Sequence, residues 1–391
     1  MDRSDFEVEV ASIARAMEVE TAWNLLSANA VEPNPFYERW MLPHAVDALD
    51  IGKNCRVALI WHRTGSGAKD KPLLVGLFPF TVTRPWGGLP VSSVENLLHI
   101  YCFCGVPLLH REYADSALVT YLDWIKTTTS LPELGHFRLI PTDGEFHHLL
   151  VDTIRARRLI CSVEERYTRA IYRRLRSSAE YIKKRFSGRT LKKLHRQKEL
   201  LSEIGALEFT TLAKDGDLNA WLDAFLELEA QGWKGAEGTA LMSSAKHEAF
   251  FRKVAQAAHE SGRLGLCGLW LNERAVSMRV SFRTHEGGYL FKIAFDESYA
   301  KYSPGTLLEL ELIRERAEGE EEWEDSCTAP SNTMYKRLWL HRRTMEDIVF
   351  SPGSVFGDLT LSLIPLLRTI KSRVLRRSHK DDVAVVTEAE S

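Results

Sequence analysis

The chain predicts an α/β (α+β) protein of two similar halves, each a mixed, mostly antiparallel sheet flanked by helices. Three observations predict it. Its 391 residues are long for one domain and comfortable for two. The second half reads as strands and helices in the order β-α-α-β-β-β-α-β-α-β. The first half repeats that order more weakly.

In the second half, Ala206–Leu212 alternates as a strand does. Asp217 is placed to cap a helix carrying Leu218, Trp221, Leu222, Phe225 and Leu228, which Gly232 stops. Ser243 or Ser244 opens a second helix with Phe250, Phe251, Val254 and Ala258 inward, ending at Gly262. Strands come next at Leu264–Leu271, Val276–Arg283 and Tyr289–Phe295, with Tyr289, Phe291, Ile293 and Phe295 expected on one face. Pro304-Gly305-Thr306 then opens a helix, whose free N–H groups and positive dipole end would suit an anion such as phosphate. A strand near Glu322–Cys327, a short helix near Asn332–Leu340, a strand near Met345–Phe350 and a helix from Val355 complete the series.

In the first half, helices are expected at Glu20–Ala30, Pro35–Leu49, Asp115–Thr127 and from Phe146, and strands at Cys55–Trp61, Leu73–Thr83 and Phe137–Ile140. The stretch Tyr101–Pro107 stands where the second half has its phosphate loop but lacks a Pro-Gly helix opening, so the first copy reads as degenerate. The expected organisation is 1–165 for the degenerate half, 166–204 for a basic connecting helix, 205–352 for the second half, and 353–391 for a C-terminal helix and disordered tail.

Composition narrows the function. The net charge is −2, so no global field favours nucleic acid. The six cysteines form no CxxC pair, and no histidine spacing suits a metal ion, so no metal is expected. The N-terminus lacks the basic-then-apolar layout of a secretory signal, and no apolar run approaches the roughly 20 residues of a membrane span. The expected location is cytoplasmic, with peripheral contact at the inner membrane open to it. Tyr172–Lys198 holds eleven Lys or Arg against one acid, Glu180, with an apolar stripe at helical spacing. This basic amphipathic helix either bridges the halves as a solvated face or binds an anionic partner: cofactor phosphates, tRNA, anionic lipid or a polyanionic glycan. The basic tail Arg368–Lys380 also permits membrane contact.

The motifs Asn34–Trp40 (NPFYERW), Gly232–Leu241, Phe291–Glu297, Tyr302–Gly305, Asp325–Cys327 and Tyr335–Trp339 together resemble one bacterial family. It comprises the GNAT-type acyltransferases known as cellulose-biosynthesis D-like proteins, relatives of the Fem-type aminoacyltransferases. The resemblance implies tandem GNAT-like subdomains and an N-acyltransferase working in envelope or exopolysaccharide metabolism. Acetyl-CoA or another acyl-CoA would be the donor, and a small-molecule or glycan amine the acceptor. A Fem-like transferase using aminoacyl-tRNA and a non-catalytic accessory protein of polysaccharide synthesis are the alternatives. The phosphate loop departs from the commoner GNAT pattern, with Ala300 at the Arg/Gln position and Ser303 for the first glycine.

The resemblance further implies a cofactor site at Ala294, Phe295, Tyr302, Ser303, Pro304, Gly305 and Thr306. It implies Tyr335 as the acid that protonates the leaving sulfur, and a carboxylate base, for which Asp325 is favoured over Asp296 or Glu297. From pattern alone, Ser277, Arg279, Ser281 and Arg283 share one strand face and Lys292 lies in the next strand. With Lys234, Trp233 and Lys336 they define a candidate acceptor pocket for a carboxylate, phosphate or sugar nucleotide. Salt bridges to the acidic run Glu309–Asp325 are the alternative. Trp233 and Trp339 could each serve as a stacking platform for a sugar or acyl chain, with core packing the expectation for both, and an inert thiol is expected for Cys327.

Overall fold

A computed structural model describes residues 5–63, 72–86, 91–128, 130–132, 134–316 and 322–364. Residues 317–321 of the acidic run and the tail expected beyond 364 lie outside the described residues. The first half supplies β1 (Phe6–Ala11), β2 (Arg56–His62), β3 (Leu73–Thr83), β4 (Ser93–Asn96), β5 (Leu108–Leu109), β6 (Gly135–Pro141) and β7 (Cys161–Arg173). The second supplies β8 (Leu207–Thr211), β9 (Leu264–Leu271), β10 (Arg274–Arg283), β11 (Gly287–Phe295), β12 (Trp323–Asp325) and β13 (His341–Phe350). The helices of the first half are α1 (Ile13–Met17), α2 (Glu20–Ala28), α3 (Leu42–Ala48), α4 (Ala114–Thr127) and α5 (Glu145–Ala156). The remaining helices are α6 (Ser178–Arg185), α7 (Gly188–Ser202), α8 (Leu218–Gln231), α9 (Trp233–Ala236), α10 (Ala245–Glu260), α11 (Pro304–Arg316), α12 (Thr333–Leu338) and α13 (355–364).

The strands form one sheet in the order β1-β2-β3-β4-β6-β13-β7-β12-β11-β10-β9-β8, with β5 beside β3. The two halves are related strand for strand. β4 and β6 pair in parallel, as do β11 and β12. The last strand of each half crosses to the other: β7 pairs with β12, β13 pairs with β6, and β7 and β13 pair with each other. The 165/166 boundary therefore falls inside β7, a strand embedded between second-half strands.

Local chemistry explains most elements. Asn272 and Glu273 join β9 to β10 with φ of 49° and 65°, the positive-φ pair a two-residue hairpin requires. Asp217 accepts from Ala220 N–H at 3.1 Å and caps α8. Phe250, Phe251, Val254 and Ala258 are buried on α10 as their spacing predicts. Two expectations change. Pro35–Leu49 is a 3-10 turn (Pro35–Tyr37) capped by Asn34 and then α3, restarted by a proline in its first turn. The single basic helix expected over 172–198 is the end of β7 followed by α6 and α7. Phe186 leaves the helical conformation and Ser187 caps α7 through Thr190 N–H.

Two large cores flank the sheet. One joins α8 and α10 to the helices of the first half; the other lies beneath α11 with α6, α7 and α12. The first-half counterpart of the phosphate loop is packed shut. Asn34 donates to the carbonyls of Cys104 and Val106 at 3.0 and 2.7 Å, and residues 104–109 are buried. Among the described residues, no helix is long and apolar enough to cross a membrane.

Candidate active site

The site begins with a mismatch in strand length. The three residues of β12 pair with Gly287–Tyr289 alone, so among the described residues the edge of β11 from Leu290 to Phe295 has no strand partner on that side. On its other side β11 stays paired to β10, with Asp296 N–H donating to Val276 O at 3.0 Å. Antiparallel strands alternate their hydrogen-bonding groups, so the N–H groups of Ile293 and Phe295 point away from β10, toward the open edge.

A bulge sets which side chains reach this opening. Val280 pairs with Lys292 and Ser281 with Leu290, leaving Phe291 as the extra residue. Such a bulge re-aims the neighbouring side chains of its strand. Phe291 and Lys292 therefore lie on the α8–α10 side, while Ile293 returns to the α11 side. The expected single face of Tyr289, Phe291, Ile293 and Phe295 is broken at this point.

Beside the open edge is a cavity of about 730 Å³, well inside the range for small-molecule sites. Ala294, Phe295, Trp233, Lys234, Lys292 and Tyr335 all line it, together with Glu229, His247, Glu297 and, from the first half, Ile100, Tyr101 and Phe103. Glu229 is buried at its floor. Its Oε1 accepts from Lys292 Nζ at 2.9 Å and Lys234 Nζ at 3.1 Å, and its Oε2 from Leu241 N–H at 2.9 Å. Burial disfavours the carboxylate, but the two ammoniums prevail and hold Glu229 below the usual range. One carboxylate cannot answer two cations fully. Burial and then Lys292 hold Lys234 below the usual lysine value, while its Nζ also donates to Ile293 O at 3.1 Å. Glu297 accepts from Trp233 N–H at 2.8 Å.

A second cavity of about 510 Å³ adjoins the start of α11. Of the phosphate-loop residues, Ser303 and Thr306 line it, with Arg185, Lys193 and Arg337. Gly305 faces the β11–α11 slot instead, where an added Cβ would come within 3.2 Å of Met334 Cε. The loop is less open than Pro-Gly suggested. Ser303 takes a left-handed φ of 56°, and its carbonyl accepts from Thr306 and Leu307 N–H. From α7, Gln197 enters the loop and donates to Lys301 O at 2.7 Å and Ser303 Oγ at 3.1 Å. Tyr302 packs beside Tyr299 under Lys301.

Several expected site residues are structural. Asp325 is fully buried: its Oδ2 accepts from Arg169 at 2.8 Å and Arg343 at 3.2 Å, and its Oδ1 accepts from Cys327 N–H at 2.9 Å and lies 2.6 Å from Arg169 Nε as an ion pair. With its oxygens so occupied and no place in the cavity lining, it is not arranged as a base. The Tyr335 hydroxyl donates to Glu309 Oε1 at 2.8 Å, and burial, then Glu309, push it well above the usual phenol value. It does not offer a proton to the cavity. Arg279 is buried between Glu309 and Glu324, at 3.3 and 2.6 Å, so the salt-bridge alternative describes it. Arg283 lines a separate cleft of about 930 Å³ at the opposite end of β11. Lys336 is half-buried and donates to Pro330 O outside both cavities. Trp339 is a core residue. Burial and then the Asp325 carboxylate keep the Cys327 thiol protonated.

Glu229 and Gln197 escaped the sequence reading, yet each left a signal. Glu229 continues the buried stripe Leu222, Phe225, Leu226 of α8, and Gln197 sits between Leu194 and Leu201 on the buried face of α7. A polar residue on an apolar stripe must find a buried partner.

Residues 188–337 match the family model described as an acetyltransferase (GNAT) domain. This span contains the open edge of β11, the Glu229 cluster and the start of α11. Among solved structures the fold is similar to that of FemX, at 9% sequence identity and TM-score 0.53, covering 85% of this chain and 95% of that one. It is also similar to a conserved protein of unknown function from Bacteroides thetaiotaomicron VPI-5482, at 11% identity and TM-score 0.50, covering 85% and 97%. No curated protein sequence matches the chain. Residues 188–337 thus have a GNAT-like acyltransferase fold. Among the described residues, no group of three or more His, Cys, Asp or Glu is placed to hold a metal ion.

Proposed function

We propose that the protein is an N-acyltransferase that moves an acyl group from a CoA thioester to an amine in the 730 Å³ cavity. The observation that carries this is the unpaired edge of β11 beside the Lys234–Glu229–Lys292 cluster. The donor's phosphates would sit at the start of α11, where the helix dipole, Arg185, Lys193 and Arg337 favour anions. Its thioester carbonyl would lie against the open edge, with the Phe295 N–H facing the developing oxyanion. Glu297 takes the amine proton through water, the C–N bond forms and the C–S bond breaks. Lys234, an ammonium already destabilised by burial, gives its proton to the departing thiolate. A glycan or other envelope amine as acceptor rests on the motif resemblance to the cellulose-biosynthesis D-like proteins.

Calorimetric titration of acetyl-CoA and of a long-chain acyl-CoA into wild type and Thr306→Asp, at a side chain lining the 510 Å³ cavity, tests this reading. Saturable binding that weakens at least tenfold in the variant supports it. Failure of both donors to bind wild type removes CoA as donor. The exposed cations Arg189, Lys192 and Arg196 on α7 would then favour aminoacyl-tRNA as the donor.

A further inference from the structure

Helix α13 has two apolar faces, and one of them is covered. Leu361 and Ile364 are buried against Trp86, Leu134 and Val349, which anchors the helix to the first half. On the other side Val355, Phe356, Leu359 and Leu363 are 88%, 63%, 56% and 41% exposed. At about 100° per residue these four fall within one arc of roughly a quarter turn, so the exposure is a continuous strip. Single exposed apolar residues need no explanation, but a contiguous strip marks a binding face.

Charge identifies the occupant. In the sequence, residues 365–380 carry Arg368, Lys371, Arg373, Arg376, Arg377 and Lys380 and no acid. Lys126 adds its ammonium beside Gly353, just before the helix begins. An apolar strip with a cation beside it, followed in the sequence by six more, is the composition of a segment that lies in the plane of an anionic bilayer, apolar side chains in the acyl boundary and cations on the headgroups. A protein partner fits less well. Stable interfaces bury roughly 800 Å² on each side, more than the four exposed side chains of this strip can offer. We infer that α13 docks this protein onto anionic phospholipid membranes. The inference is independent of the acyl-transfer reading.

The test is co-sedimentation of the full-length protein with phosphatidylcholine vesicles, with and without about a third phosphatidylglycerol, at low and high salt. It is run on wild type, on the Phe356→Glu/Leu359→Glu pair and on the neutral Val355→Asn/Leu363→Gln pair. All four side chains are exposed, so the fold should survive, which circular dichroism checks. The expected result is at least tenfold tighter binding to anionic vesicles, weakened by salt and reduced at least tenfold by each pair. Absence of wild-type binding, or binding unchanged by both pairs, overturns the inference. So does a wild-type dimer that both pairs dissociate, because a second copy would then be the occupant.

Discussion

At the scale of single residues, the ionisable groups divide by whether their partners are already in place. Asp325 holds Arg169 and Arg343 in the dry centre of the sheet. Removing one partner of a buried pair typically costs about 3–5 kcal/mol. Asp325→Asn should therefore lower stability by that order in urea denaturation while turnover per folded molecule stays within severalfold. Glu297→Gln should do the reverse, lowering kcat about a hundredfold or more with an unchanged midpoint; a hundredfold kcat loss in Asp325→Asn would restore that residue as the base. Glu32 gives a pH signature. Burial raises its carboxyl to about 7, against the Phe146 N–H that it accepts at the start of α5. A carboxyl whose folded value is raised contributes stability that is full below its unfolded value near 4.5 and is lost as pH rises through about 7. Glu32→Gln keeps the acceptor and removes the titration, so its stability should flatten between about pH 4.5 and 7 where wild type declines.

At the scale of elements, the sequence is most legible where punctuation is chemical. Asp217, Gly232, the Asn272-Glu273 hairpin and Pro304 each mark a boundary found in the fold. It is least legible where pairing supplies the burial. β7 carries Glu164, Glu165, Arg166 and Arg169, and is a strand because β12 and β13 flank it. The bulge at Phe291 leaves no residue signature, yet it turns Lys292 toward Glu229. The site was half-legible for the same reason. Lys234 and Lys292 were visible as charges on buried elements, whereas the choice among Asp325, Asp296 and Glu297 depended on which carboxylates other strands already occupy. Helix α7 tests this dependence on context. Its Gln197 holds the loop before α11 from a distant part of the chain. Gln197→Ala should raise the donor KM about tenfold and leave kcat within twofold, the split expected when lost binding is uniform through the reaction. A fall in kcat with an unchanged KM would place Gln197 in the chemistry instead.

At the scale of the molecule, the exchange of last strands makes the two halves one structure. Composition could suggest two domains, but no local pattern says that β13 pairs with β6, because register between distant strands is written in neither strand alone. The crossing is reinforced by side chains. Arg263 pairs with Glu38 and stacks on Trp40, Tyr289 donates to Pro33 O at 3.1 Å, and Arg169 reaches both Phe103 O and Asp325. The proposed catalytic cavity depends on this union, since Tyr101 and Phe103 from the first half close one wall. Separable domains would unfold in steps, each with its own midpoint. Here either half alone would leave β6 or β12 with an unpaired edge at the centre of an apolar sheet. Urea unfolding followed by tryptophan fluorescence and by far-ultraviolet circular dichroism should therefore give one coincident transition. Segments 1–176 and 177–391, expressed separately, should aggregate or stay unfolded, and co-expressed they should recover donor binding. Two resolved transitions, or a second segment that binds acyl-CoA by itself, would mean that the exchanged strands decorate independent domains instead of joining them.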